Sequence, residues 1–178
     1  MRASTETGEN GVSMLDEPFK YGLLAALAIA LLVAAFTDLR SRRIGNWLNS
    51  VIALGAPLFW LASGLDLTEI ALQIGVAAAT LAVLAVLFAL RAMGGGDVKL
   101  LTALALWIEP LSFLKLVIAM SLIGGVLTFA FGAWHITRRQ RDKLAIPYGV
   151  AISLAGLWVL GTAYLPVVSA GRNLILTN

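Results

Sequence analysis

Two aspartates stand where long uncharged runs reach their ends, each with basic residues close by: Asp38 in FTDLRSRRIGNWLN and Asp97 in MGGGDVKLL. A carboxylate at membrane depth costs roughly 2.5–3.5 kcal/mol on insertion scales, so its presence there points to function. Two carboxyls brought together do not both ionise easily; they share a proton and titrate as a pair in two steps. The ionised member can take a proton from water while the protonated member polarises a carbonyl. That is the chemistry of peptide hydrolysis without a covalent intermediate. Singly, each residue has a plainer use. Asp38 offsets the arginines after it, and Asp97 favours the positive end of a helix that starts there.

The residues around the pair narrow the chemistry. Gly94, Gly95 and Gly96 interrupt the apolar pattern, and glycine permits backbone shapes and close approaches that other residues resist. The sequence therefore predicts a break there, able to set Asp97 inside the bundle and to let a substrate strand pass. A phosphate cradle built from these glycines, Lys99 and a helix N-terminus is the competing use. The P-loop spacing and its Ser or Thr are missing. Lys99 is near enough in sequence to hold a carboxylate charge. Asn46 and Asn49, near the inner end of the second apolar stretch, can hydrogen-bond into the site or join helices. Arg40, Arg42 and Arg43 suit membrane anchoring better than substrate contact. Pro147, Tyr148 and Gly149 open the last stretch and carry no assigned role. With no cysteine, disulfides, thiol catalysis, cysteine zinc sites and iron–sulfur clusters are excluded, and the one histidine, His135, argues against a histidine metal site. No metal or organic cofactor is expected.

The elements that must position the pair are membrane helices. Of 178 residues, 60% are hydrophobic and 13% charged, about half the charged fraction of a soluble domain; the mean hydropathy is +0.89. The uncharged stretches are Tyr21–Thr37, Ile44–Leu65, Ile70–Leu90, Leu100–Ile108, Leu116–Thr137 and Leu144–Gly171. Five are long enough to cross about 30 Å of hydrocarbon as helix. The fourth is short; a helix from Asp97 to Ile108 would reach only about 18 Å. No β-barrel alternation is visible. The expectation is an all-α, polytopic protein of six transmembrane helices with an abbreviated fourth. Residues 1–20 form a flexible polar tail, 21–170 one membrane-embedded domain and 171–178 a C-terminal tail. The first stretch is read as a retained helix, not a signal peptide, because its arginines follow the apolar run.

Charge sets the orientation. With the N-terminus outside, Arg40, Arg42, Arg43, Arg91, Lys99, Arg138, Arg139, Arg141 and Lys143 fall inside, nine of the thirteen basic residues. Glu6, Glu9, Asp16, Glu17, Asp66, Glu69 and Glu109 fall outside, the last three as solvated loop charges. If the short segment did not cross, the cluster ITRRQRDK would face outward. The net charge of +3 is thus a topology signal and not a nucleic-acid surface. Trp47, Trp60, Trp107 and Trp134 lie near segment ends as interfacial anchors, and Trp158 lies deeper as packing.

TDLRSRRIGNWLN followed by GGGDVKL resembles the two signature regions of the prepilin peptidases, membrane aspartyl proteases with a Gly-x-Gly-Asp motif. That motif maps onto Gly94–Asp97, with Lys99 two residues later, and the first catalytic aspartate matches Asp38. Ile44 and Asn46 fit the pattern that follows it, and AIPYG at 145–149 looks like a late family motif. The resemblance covers Ala34 to about Gly149. It departs at Gly45, where the family usually has proline. The chain also lacks the paired CxxC segment of longer members, many of which methylate the new N-terminus, and this counts against methyl transfer. The chain is similar to the short form found with Flp-type, tight-adherence pili.

The resemblance implies a multi-pass protein of the bacterial cytoplasmic membrane. It would remove a short basic leader from prepilin or pseudopilin substrates at the cytoplasmic face, beside lipid and the pilus-assembly machinery, with Asp38 and Asp97 as catalytic dyad. Three other functions stand beside it. A pilus-assembly scaffold would look the same without being an enzyme. A small transporter would use midplane ionisable groups and repeats, neither of which is seen. A related Gly-x-Gly-Asp protease would cut inside substrate helices.

Overall fold

The computed structural model describes residues 16–138 and 148–164, with side chains described for 18–130 and 148–164. Most of the N-terminal tail, the basic cluster at 139–143, Pro147, the C-terminal tail and the side chains of Trp134 and His135 lie outside the described residues. Among those described, every regular element is helical: α1 Asp16–Ser41, α2 Asn46–Ala62, α3 Leu67–Ala89, α4 Gly95–Ala105, α5 Pro110–Arg138 and α6 Tyr148–Ala163. The boundaries follow local chemistry. The Asp66 carboxylate accepts from the Glu69 N–H at 2.7 Å and Glu69 accepts from the Asp66 N–H at 2.9 Å, a capping box that starts α3. Two charges expected to be merely solvated are therefore the start signal of a helix. The helix before it, α2, ends at Gly64, whose φ of +64° suits the left-handed closing residue of a helix.

Three helices, α1, α3 and α5, are long and apolar enough to cross a membrane. Two further apolar helices, α2 and α6, have 17 and 16 residues. Their outward faces are still apolar, with Leu54, Leu61, Leu154 and Trp158 exposed. The abbreviated fourth helix is present but shifted. It runs Gly95–Ala105 and not Asp97–Ile108, because Gly95 and Gly96 join its first turn. Beyond Ala105 the chain tightens into short-range bonds such as Trp107 N–H to the Leu104 carbonyl at 3.0 Å, ahead of Pro110, where α5 begins.

This short helix is the centre of the bundle. α2 and α3 pack on it, α6 touches it, and α1 closes the ring between α2 and α6, while α5 lies against α6. Val98, Leu100, Leu101, Ala103, Leu104 and Ala105 are all buried, so α4 has little surface of its own to show lipid. The far end of the core is locked by Trp107, only 4% exposed. Its indole donates to the Ile52 carbonyl at 2.7 Å, its ring stacks on Phe59 at 5.2 Å, and a Cβ on Gly55 would stand 2.7 Å from it. The expected roles of two tryptophans are thereby exchanged. Trp107 packs the core, whereas Trp158 is 52% exposed. Trp47 is exposed as an anchor would be, and Trp60 is half-buried, donating to the Leu106 carbonyl at 2.7 Å.

Trp107→Ala should cost about 3–5 kcal/mol, the usual loss for emptying a large aromatic site. Thermal unfolding in detergent checks it: Trp107→Ala is expected to lower Tm well beyond Trp158→Ala, and equal effects would contradict this packing.

Candidate active site

Asp38 is in the last turn of α1 and is 6% exposed. A carboxylate this buried needs donors, and the start of α6 supplies one: the Val150 N–H donates to Asp38 Oδ2 at 3.3 Å. The unsatisfied amides and the dipole of a helix N-terminus favour negative charge there. The approach depends on Gly149, because a Cβ at that position would lie 2.8 Å from both Cγ and Oδ2 of Asp38 and 2.8 Å from Ile44 Cδ1. Sequence reasoning left Gly149 without a role. The AIPYG segment that contains it was the available signal.

Asp97 is in the first turn of α4, outside the three long apolar spans. Burial pushes its carboxyl up to about 6; the neighbouring Asp38 charge adds to this, and a hydrogen bond from the Gly94 backbone opposes it. Asp38 and Asp97 line one cleft of about 660 Å³, together with Phe88, Met93 and Tyr148. The structure therefore brings the two acids, far apart in sequence, to a common space between α1, α3, α4 and α6.

The three glycines serve close packing. A Cβ on Gly94 would meet Asp97 Oδ2 at 2.8 Å, one on Gly95 would meet Phe88 Cε2 at 3.2 Å, and one on Gly96 would meet Ile44 Cβ at 3.2 Å. Gly95 and Gly96 are helical and covered by these neighbours, so the expected break before Asp97 is confined to Gly94 and the turn ahead of it. Lys99 and Asn46 are not brought to the cleft. Lys99 Nζ donates to Asn46 Oδ1 at 2.9 Å, and both line a separate groove with Asn49. Two residues along a helix turn the side chain by about 200°, which is why Asp97 and Lys99 diverge. Asn49 is buried and its amide donates to the Gly96 carbonyl at 3.2 Å, tying α2 to the first turn of α4.

Two cations at the cleft were not anticipated as a pair. Arg42 and Arg91 both line it, and both have left-handed backbone, with φ of +53° and +58°. Each closes a helix. The Arg42 N–H donates to the Asp38 carbonyl at 2.8 Å, and the Ala92 N–H beyond Arg91 donates back to the Leu87 carbonyl at 2.9 Å. A non-glycine residue in this region costs about 1–2 kcal/mol, and α2 closes the same way with glycine. Arg40 and Arg43 are exposed and do not line the cleft.

Two carboxyls facing one cleft in a bundle with membrane-length apolar helices make this a membrane protein built to hold paired acids. The model of the type IV leader peptidase family matches residues 25–129, more than half of the chain and a range containing both aspartates, and the chain belongs to that family. It is a peptidase-family membrane protein. Neither the comparison with curated proteins nor that with solved structures gives a match.

Gly149→Ala tests the seat of Asp38. It should leave the protein inserted and folded yet lower peptide cleavage at least tenfold, since the added methyl displaces the Asp38 carboxyl from the α6 amides. Cleavage of a co-expressed prepilin at the parental rate would contradict this seat.

Proposed function

We propose that this chain is an aspartyl endopeptidase that removes short basic leaders from prepilins or pseudopilins at the cytoplasmic face of the membrane. The observation that carries the reading is the single cleft lined by Asp38 and Asp97 in a chain of the type IV leader peptidase family. The positive-inside distribution supports a cytoplasmic position for that cleft, and hence six crossings with the N-terminus outside.

The surroundings of the two acids divide their labour. Asp38, beside the α6 amides, is the general base: it takes a proton from a water as the water oxygen bonds to the scissile carbonyl carbon. Asp97 carries the shared proton and gives it to the carbonyl oxygen. Collapse of the resulting diol returns that proton, breaks the C–N bond and delivers the proton held by Asp38 to the leaving amine. One water is consumed and each acid ends as it began. Arg42 and Arg91 at the cleft keep the net charge near the pair from becoming strongly negative. The short form without a CxxC segment supports cleavage without methyl transfer, as in Flp-type systems.

Asp38→Asn and Asp97→Asn should each abolish leader removal from a co-expressed prepilin, by about 10³-fold or more if a single acid or base is lost from a unit that works only whole, while membrane insertion is retained. Processing by either variant at the wild-type rate would eliminate the mechanism.

The pH profile gives a second test. Asp97 is neutral below about 6 and charges above it, so the proton it donates is lost as pH rises through that value. Cleavage should decline on the alkaline side of about 6, and a profile flat from pH 5 to pH 9 would contradict the assignment. The intramembrane-cutting alternative is judged by the product, since sequencing the new N-terminus places the cut before or within the hydrophobic run.

A further inference from the structure

The groove on the other face of α4 is not used by the chemistry above. It has a volume of about 380 Å³ and is lined by Asn46, Asn49, Ser50 and Ala53 of α2, by Lys99, Thr102, Ala103 and Leu106 of α4, and by Leu81 of α3. α2 and α3 are joined by a short turn at one end yet scarcely touch each other, so α4 forms a floor between two walls. From Lys99 to Leu106 the floor runs about 10 Å along the bundle. It starts beside Asp97 and points away from the cleft.

The lining is unusual for a surface among lipid tails. Small residues, Ser50, Ala53 and Ala103, let another backbone come close, which is how helices associate where no hydrophobic drive separates them from lipid. Asn49 gives the independent sign of an absent partner. It is 4% exposed, its amide nitrogen is committed to Gly96, and its Oδ1 has no hydrogen-bond partner. An orphaned buried acceptor is uncommon. An acyl chain has no donor for it, whereas a transmembrane helix bearing a Ser, Thr, Asn or Gln does.

We propose that this groove docks the hydrophobic helix of the substrate, laid along α4 between α2 and α3, and so sets the distance from the substrate's membrane segment to the bond that is cut. The proposal rests on the peptidase reading for the identity of its occupant. Its location supports that choice over a second copy of the chain: the groove begins at the first turn of α4, which also carries Asp97, so a helix seated there brings its end to the cleft. Lys99, held by Asn46 at the same end, marks the level where the docked helix leaves the apolar layer.

The chain has no cysteine, which permits a direct test. Ser50→Cys is placed in the Asp97→Asn background and co-expressed with a prepilin carrying one cysteine at successive positions of its hydrophobic helix. Ser121→Cys on α5, also exposed, is the control. Expected are disulfide adducts at Ser50→Cys, recurring every three to four prepilin residues and several-fold more abundant than at Ser121→Cys. Adducts no more abundant than the control, or Ser50→Cys linking preferentially to another copy of itself, would overturn the proposal. In the active parent, Ser50→Leu should raise KM for the membrane-embedded prepilin about tenfold and leave cleavage of a short peptide spanning the bond unchanged. Equal effects on both substrates would also overturn it. The peptidase reading is judged separately: adducts with a prepilin that the active parent never cuts remove the reading and leave the docking surface.

Discussion

The rest of the architecture is arranged around one constraint: two carboxyl groups are held facing one space among apolar helices. Desolvation and mutual repulsion both oppose this. The fold answers with helix beginnings. Asp38 meets the first amides of α6, and Asp97 stands in the first turn of α4, bonded from Gly94. Each beginning must come closer than side chains normally allow, and the glycines at 94, 96 and 149 are where that closeness is achieved. The chemistry of the acids and the packing of the glycines are thus one requirement seen from two sides.

The bundle that results is asymmetric. At the end away from the acids, Trp107, Phe59 and Ile52 interlock through ring stacking and the indole–carbonyl hydrogen bond. At the end with the acids, helices α1 and α3 close on arginines in a conformation that glycine would adopt more easily. A strained closing residue persists where its side chain has a use, and here both side chains border the cleft. Tight aromatic packing thus marks one end and the two left-handed arginines the other.

Much of this was legible in the sequence. The helical class, the short fourth helix and the two acids all follow from where uncharged runs stop, because the cost of charge in hydrocarbon is large and local. What was not legible depends on which way a side chain faces. In a membrane protein both the core and the lipid surface are apolar, so periodicity does not separate them, and the sequence does not distinguish the buried Trp107 from the exposed Trp158. Lys99 was placed with Asp97 by proximity along the chain, although helical rotation sends it to the opposite side. Gly149 lies more than a hundred residues from Asp38, and only the folded chain shows that its missing side chain makes room for that carboxyl. Helix ends were harder to place, because an uncharged run continues through turns, as at Ser63–Gly64, where the helix itself stops.

The brevity of α4 connects these features. A full-length helix at the centre of the bundle would fill the space between α2 and α3 along their whole length. An eleven-residue helix does not. Its N-terminus, and the acid on it, are thereby set within the bundle, and a groove remains open on its outer face. Residues two apart on this one element serve the two places, Asp97 the cleft and Lys99 the groove, and Gly96, just before Asp97, accepts the hydrogen bond from Asn49. A displacement of α4 along its axis would move the cleft and the groove together, so the relation between the two is fixed by the backbone of a single rigid turn and not by a loop.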